Sequence, residues 1–144
     1  MKVLFDTSIL VAAMVETHKY HAKAIDWLTR VKEKEISGAV GAHTLAELYA
    51  VLTTLPIFPR ISPVIALRLI EHNVFPFFEV IELTKEDYQS LIKRLAEQNV
   101  RGGALYDALI AEAASKAKAD MLITLNPAHF QQVYPSLKDI IQEP

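Results

Sequence analysis

The sequence predicts an α/β fold with a mostly parallel central sheet. Short apolar runs alternate with longer helical stretches along the chain, the pattern that parallel strands joined by helical crossovers require. The strand candidates carry few charges, as strands covered on both faces must. Polar residues follow two of these runs directly: Asp6 after Val3-Leu4-Phe5, and Thr124 and Asn126 around the end of Met121-Leu122-Ile123. In an open parallel sheet, ligands bind outside the carboxyl ends of the strands, so those residues stand where chemistry is expected.

The elements follow in order. Lys2 to Phe5 reads as a buried strand that stops at Asp6-Thr7-Ser8, and a brief helix follows over Ile9 to Val15 with Thr7 or Ser8 as its cap. His18 to Lys34 is helical, with Ala22, Ile25, Leu28 and Val31 recurring every three residues. Ile36 to Val40 is a second strand. Thr44 to Leu55 is a helix with Leu45, Leu48 and Leu52 on one stripe, ended by Pro56 and Pro59, and Pro56 to Ile61 is a loop or lid. Ser62-Pro63 starts a helix that reaches about His72, with serine as cap and proline in the first turn. Phe78 to Leu83 is a strand. Thr84 and Asp87 approximate a capping box for a helix running to about Asn99, and Gly102-Gly103 breaks the chain after it. Leu105 to Lys118 is an alanine-rich helix whose Ala108, Ala111, Ala114 and Ala117 allow close approach by another element. Met121 to Thr124 is a strand, Asn126-Pro127 starts a turn or short helix, and a weak last strand lies near Asp139 to Ile141.

Composition narrows the function. A chain of 144 residues with 51% hydrophobic content is the size of one domain, residues 1–144, with a proper core, which excludes general disorder. The formal net charge of −2 excludes a highly basic nucleic-acid coat protein, though not an enzyme with a local basic rim. Cysteine is absent, which removes disulfides, thiolate nucleophiles and Cys-zinc sites. No secretory leader is recognisable, because Asp6 interrupts the apolar opening, and no apolar run is long enough to span a membrane. A cytoplasmic location is the expectation.

Two acids interrupt apolar helical runs: Glu47 in His43-Thr44-Leu45-Ala46-Glu47-Leu48, and Asp107 in Leu105-Tyr106-Asp107-Ala108-Leu109. A position near a helix start would explain either one alone, through the dipole. With Asp6 they form a set that could converge at one end of the sheet. Clustered carboxylates repel, so one must protonate or a cation must sit among them. Oxygen ligands without His or Cys are what Mg2+ and Mn2+ prefer, and such a site suits phosphodiester hydrolysis.

At these residues the chain resembles the PIN-domain ribonucleases, of the kind that form the toxin in VapBC toxin–antitoxin pairs. Val3-Leu4-Phe5-Asp6-Thr7-Ser8, Thr44-Leu45-Ala46-Glu47, Tyr106-Asp107-Ala108-Leu109-Ile110-Ala111 and Ile123-Thr124-Leu125-Asn126-Pro127-Ala128-His129-Phe130 match the family's four blocks in order, over essentially the whole chain. The resemblance implies a three-layer α/β/α sandwich. It implies Asp6, Glu47 and Asp107 as metal-site acids for Mg2+ or Mn2+, with Asn126 completing the catalytic set where many relatives carry a fourth Asp. It implies Ser8 and Thr124 as hydroxyls orienting the acids or a bound water. It also implies an RNA substrate, a homodimer and a cognate antitoxin.

Lesser signals remain. Lys93, Arg94 and Arg101 form a small positive cluster that could meet an RNA backbone or simply be a solvated face. His18 and His21 have zinc-pair spacing, but no third ligand has suggestive spacing. His43, close to Glu47 on one helical face, and His129 read as structural. A haloacid-dehalogenase phosphatase would need an aspartate where Ser8 stands, and a dinucleotide enzyme would need a Gly-x-Gly-x-x-Gly turn that four glycines do not form. The rival of another class is a catalytically silent PIN-like binding or scaffold module.

Overall fold

A computed structural model describes residues 1–144. Strands β1 (Lys2–Phe5), β2 (Ser37–Gly41), β3 (Phe78–Ile81), β4 (Met121–Ile123) and β5 (Ile141–Gln142) form one sheet in the order β3-β2-β1-β4-β5. Every pairing is parallel. The helices are α1 (Thr7–Met14), α2 (His21–Lys32), α3 (Ala42–Thr54), α4 (Pro63–Asn73), α5 (Lys85–Glu97), α6 (Ala104–Lys116) and α7 (Pro127–Val133), with a 3-10 turn at Pro135–Leu137.

Side-chain alternation along the strands builds two cores. Val3, Phe5, Val40 and Ile123 point into one, under α1 to α4, while Leu4, Ala39 and Leu122 point into the other, under α5, α6 and α7. The result is an α/β/α sandwich. Strand order reverses at β1, with β2 on one side and β4 on the other, and β1 and β4 are in register from Val3↔Met121 to Phe5↔Ile123. The crevice at the carboxyl ends of β1 and β4 is therefore the expected ligand site.

Small residues set two close approaches. In α6, Ala108, Ala111, Ala113 and Ala114 are buried, and a Cβ on Gly41 would stand 3.4 Å from Ala113 Cβ. At Gly38 a Cβ would lie 2.7 Å from the Phe78 ring and 2.8 Å from Val31 Cγ1. Phe78 is itself buried and edge-on to Phe5, with centroids 5.0 Å apart, which restricts its movement away from such a Cβ. Gly38→Ala is expected to cost about 1–3 kcal/mol by overpacking, read as a lower midpoint in chemical denaturation. An unchanged midpoint would show that the Phe78 ring can yield.

Several boundaries differ from the sequence reading. Helix α2 starts at His21, so His18 lies in the preceding turn. Its buried stripe is Ala24, Leu28 and Val31, with Ala22 exposed, because a true 3.6-residue period drifts off a strict spacing of three. Neither Thr7 nor Ser8 caps α1: Asp6 occupies the N-cap position and makes no side-chain cap bond. Helix α3 starts at Ala42 rather than Thr44, which moves Glu47 into the second turn, beyond the reach of the dipole explanation. Ser62 does cap α4 (Ile65 N–H donates to its Oγ at 3.2 Å), and the Thr84–Asp87 capping box is complete.

Candidate active site

Asp6 follows β1 directly and its side chain is buried. Two hydroxyls donate to its Oδ2: Ser8 Oγ at 2.7 Å and Thr124 Oγ1 at 2.8 Å. Each hydroxyl also ties down the strand switch. Ser8 Oγ accepts from Leu125 N–H at 3.1 Å, and Thr124 Oγ1 accepts from Asn126 N–H at 3.0 Å. Residues 118 apart thus meet on one carboxylate, because β1 and β4 are neighbours. The same pairing aligns the chain after β4 with the chain after β1, where Asp6 N–H donates to the Ile123 carbonyl at 3.0 Å.

A cleft of about 340 Å³ opens over this point. Asp6, Glu47 and Asp107 all line it, with Thr7, Ser8, His18 and Asn126. Glu47 comes from the second turn of α3, Asp107 from the first turn of α6, and Asn126 from the N-cap of α7. The acids feel one another. Burial pushes the Asp6 carboxyl above the usual carboxylate range, opposed by the Ser8 and Thr124 hydroxyls and reinforced by the Glu47 charge. Burial also raises Asp107, the Asp6 and Glu47 charges raise it further, and His129 pulls the other way.

The three acids thus line one cleft. They do not close into a cage, however: no three carboxylates or imidazoles of the chain stand close enough together to hold an ion as they are placed. Like charges in one cleft repel, and Glu47 Oε2 lies 3.4 Å from His43 Nε2 one turn earlier. The donor set itself suits a hard divalent cation: carboxylate and amide oxygens from Asp6, Glu47, Asp107 and Asn126, beside a buried Thr7 hydroxyl without a hydrogen-bond partner. Of the three acids, Asp6 is the one held by side-chain hydrogen bonds, from the Ser8 and Thr124 hydroxyls.

Comparison with known proteins places the chain in a family. The PIN-domain profile matches residues 3–134. The chain belongs to the PIN-domain family. It is 36% identical over 116 residues to Ribonuclease VapC27 of Mycobacterium tuberculosis, covering 81% of this chain and 79% of that protein. It is 35% identical over 117 residues to Ribonuclease VapC40 of the same species, covering 81% of each. In fold it is similar to the crystal structure of VapBC2 from Rickettsia felis bound to a promoter DNA fragment, with a TM-score of 0.68, 20% identity and coverage of 100% and 99%. It is also similar to M. tuberculosis VapC20, a sarcin-ricin-loop-cleaving toxin, with a TM-score of 0.63, 16% identity and coverage of 83% and 86%.

Within this PIN domain the remaining sequence candidates sit elsewhere. None of Lys93, Arg94 and Arg101 lines the acid cleft. The Arg94 guanidinium lies 3.8 Å from the Tyr134 ring centroid, with Nε and Nη2 buried, so it is engaged in packing and not free for phosphate. Lys93 is exposed. Arg101 is exposed too and shares a separate polar cleft with Gln98, Asn99 and Gln132. The His18–His21 spacing makes no ligand pair, since His21 Nδ1 bonds the Ala12 carbonyl at 2.9 Å while His18 faces the acids. The sequence offers His18 only as half of a zinc-pair spacing; its place beside the acids comes from the turn before α2, which no local pattern signals.

Proposed function

We propose that the protein is a divalent-metal-dependent endoribonuclease and the toxin of a toxin–antitoxin pair. One observation carries the reading. Three acids from three separate segments line one cleft at the carboxyl edge of a parallel sheet, where strand order reverses. Identity of 36% and 35% to proteins named as VapC ribonucleases supports RNA as the substrate. Structural likeness to VapBC2, and to FitAB bound to DNA at a TM-score of 0.68 and 17% identity, supports a protein antitoxin as partner.

In this reading residues 1–144 act as one nuclease unit. Asp6, Glu47 and Asp107 would hold Mg2+ or Mn2+, which would supply an activated water and charge compensation at the attacked phosphate. Ser8 and Thr124 keep the Asp6 carboxylate in one rotamer, so its share of the site is set before substrate arrives. Asn126 offers an uncharged oxygen at the cleft rim. Arg101 and Lys93 meet the RNA backbone farther out, where phosphate contacts add affinity without reading sequence. A homodimer forms through exposed apolar surface such as Val64, Ile65 and Leu67 of α4. No helix is long and apolar enough to cross a membrane, and the site of action is the cytoplasm, where RNA is available.

The test is incubation of purified protein with RNA in EDTA, Mg2+ or Mn2+. Internal cleavage that needs the metal is expected. Cleavage that persists in EDTA would overturn the metal site, and silence with every metal would favour the binding-module alternative. Asn126→Asp is expected to tighten Mn2+ binding several-fold by adding a charge at the cleft, and unchanged calorimetric affinity would remove position 126 from the inner site.

A further inference from the structure

A second cleft of about 340 Å³ adjoins the first and shares Glu47 with it. Its other lining residues are His43, Ala46, Ala50 and Tyr106. The Tyr106 and His43 rings are stacked in parallel, with centroids 5.1 Å apart and planes 5° apart. Tyr106 is 51% exposed, although it immediately precedes an acid of the cleft and lies in the first turn of a helix whose other apolar side chains are mostly buried. Two alanines contribute only methyl groups, and no lysine or arginine lines this cleft. A phosphate therefore gains little there. A flat, neutral ring gains a stacking partner and an apolar seat.

We infer that Tyr106, backed by His43, is a stacking platform for one nucleobase of single-stranded RNA, beside the phosphodiester bond presented to the acids. The inference rests on the ribonuclease reading above and adds how the substrate is held. The negative cleft attracts a phosphate only through its cation, so affinity for the rest of the strand must come from elsewhere. An aromatic shelf supplies it without adding charge. Every base has a π-face, so such a platform fixes the strand's position while tolerating sequence. It favours unpaired RNA, because a base inside a duplex has no free face to offer. Sharing Glu47 means that a nucleotide stacked on Tyr106 has its own phosphate, or its neighbour's, at the acid cleft.

The experiment is steady-state cleavage of a panel of single-stranded RNA oligonucleotides in Mn2+ by the parent chain, Tyr106→Ala and Tyr106→Phe. A matched set lacks, one at a time, each base flanking the cut. Tyr106→Ala is expected to raise KM roughly 5- to 100-fold, and Tyr106→Phe to leave it near the parent value, since the ring and not the hydroxyl does the stacking. Removing the stacked base should raise the parent's KM by the same factor and the alanine variant's by none. This base-removal comparison on the parent needs no variant to fold. A parent indifferent to every base removal would overturn the platform, as would an alanine variant with the parent KM. So would a loss of kcat that is equal on intact and base-depleted RNA, the result expected if Tyr106 only holds His43 and Glu47 in position. An alanine variant that cleaves normally and loses only a protein partner would assign the surface to that partner instead. A parent chain that cleaves no RNA in Mn2+ would overturn the ribonuclease reading and the platform with it.

Discussion

Asp107→Asn and Asp6→Asn are each expected to cut RNA cleavage on the order of 10²- to 10⁴-fold, the size of losing several kcal/mol of metal-borne transition-state stabilisation. The same substitutions are expected to raise the melting temperature of the protein in EDTA. The sign follows from the raised carboxyl values at both positions. An acid raised in the folded state binds its proton more tightly folded than unfolded. Its cost to the fold is absent below the ordinary value of 3.8, grows as pH rises toward the raised value, and is full above it. The metal-free parent should therefore gain stability from these groups as pH falls from neutral through their raised values toward the ordinary 3.8, and either asparagine should flatten that gain. Asp87 runs the other way. Its bond from Lys116 lowers it, so its contribution is present above the ordinary value and is lost only as pH falls through the lowered one. It does not mask a rise on the neutral side. Thermal melts in EDTA across this range, paired with cleavage assays, check both halves. Cleavage surviving either substitution, or a lower melting temperature in both, would sink the shared acid site.

The sheet was legible because short apolar runs separated by helical periods have few other solutions. The acids were legible because Glu47 and Asp107 break runs that a purely structural helix would keep apolar, and Asp6 ends a strand where ligands bind. Helix starts were not legible where the first turn lacks a capping side chain. Gly41 precedes α3 with no side chain to signal it, and the boundary at Thr44 came out two residues late. Strong caps were read correctly at Ser62 and Thr84 because a hydroxyl three residues before its amide partner is a local feature. The fate of Arg94 depends on Tyr134, a residue forty positions on and on another element, and no local pattern encodes that meeting. The spacing of His43 puts it near Glu47 on one helical face, where its Nε2 lies 3.4 Å from Glu47 Oε2, but its stack on Tyr106 joins α3 to α6 and is invisible to either helix alone.

Thr124→Val is expected to be the most informative change that leaves every acid in place. Thr124 is fully buried, and its hydroxyl gives a hydrogen to Asp6 while taking one from Asn126 N–H. Valine keeps the shape and removes both bonds. The fold should lose about 1–3 kcal/mol, the usual cost of leaving buried polar groups unsatisfied. Mn2+ affinity should fall about 10- to 100-fold, because Asp6 is then held by Ser8 alone and its carboxyl rises further. Thr124→Ser should restore both properties, since it returns the hydroxyl and loses only a methyl group. The two readouts separate the roles. A variant less stable in denaturant but binding Mn2+ like the parent would make Thr124 a structural hydroxyl only. A variant that loses metal affinity, and recovers it with serine, would show that the strand pairing of β1 with β4 reaches the chemistry through a single buried oxygen.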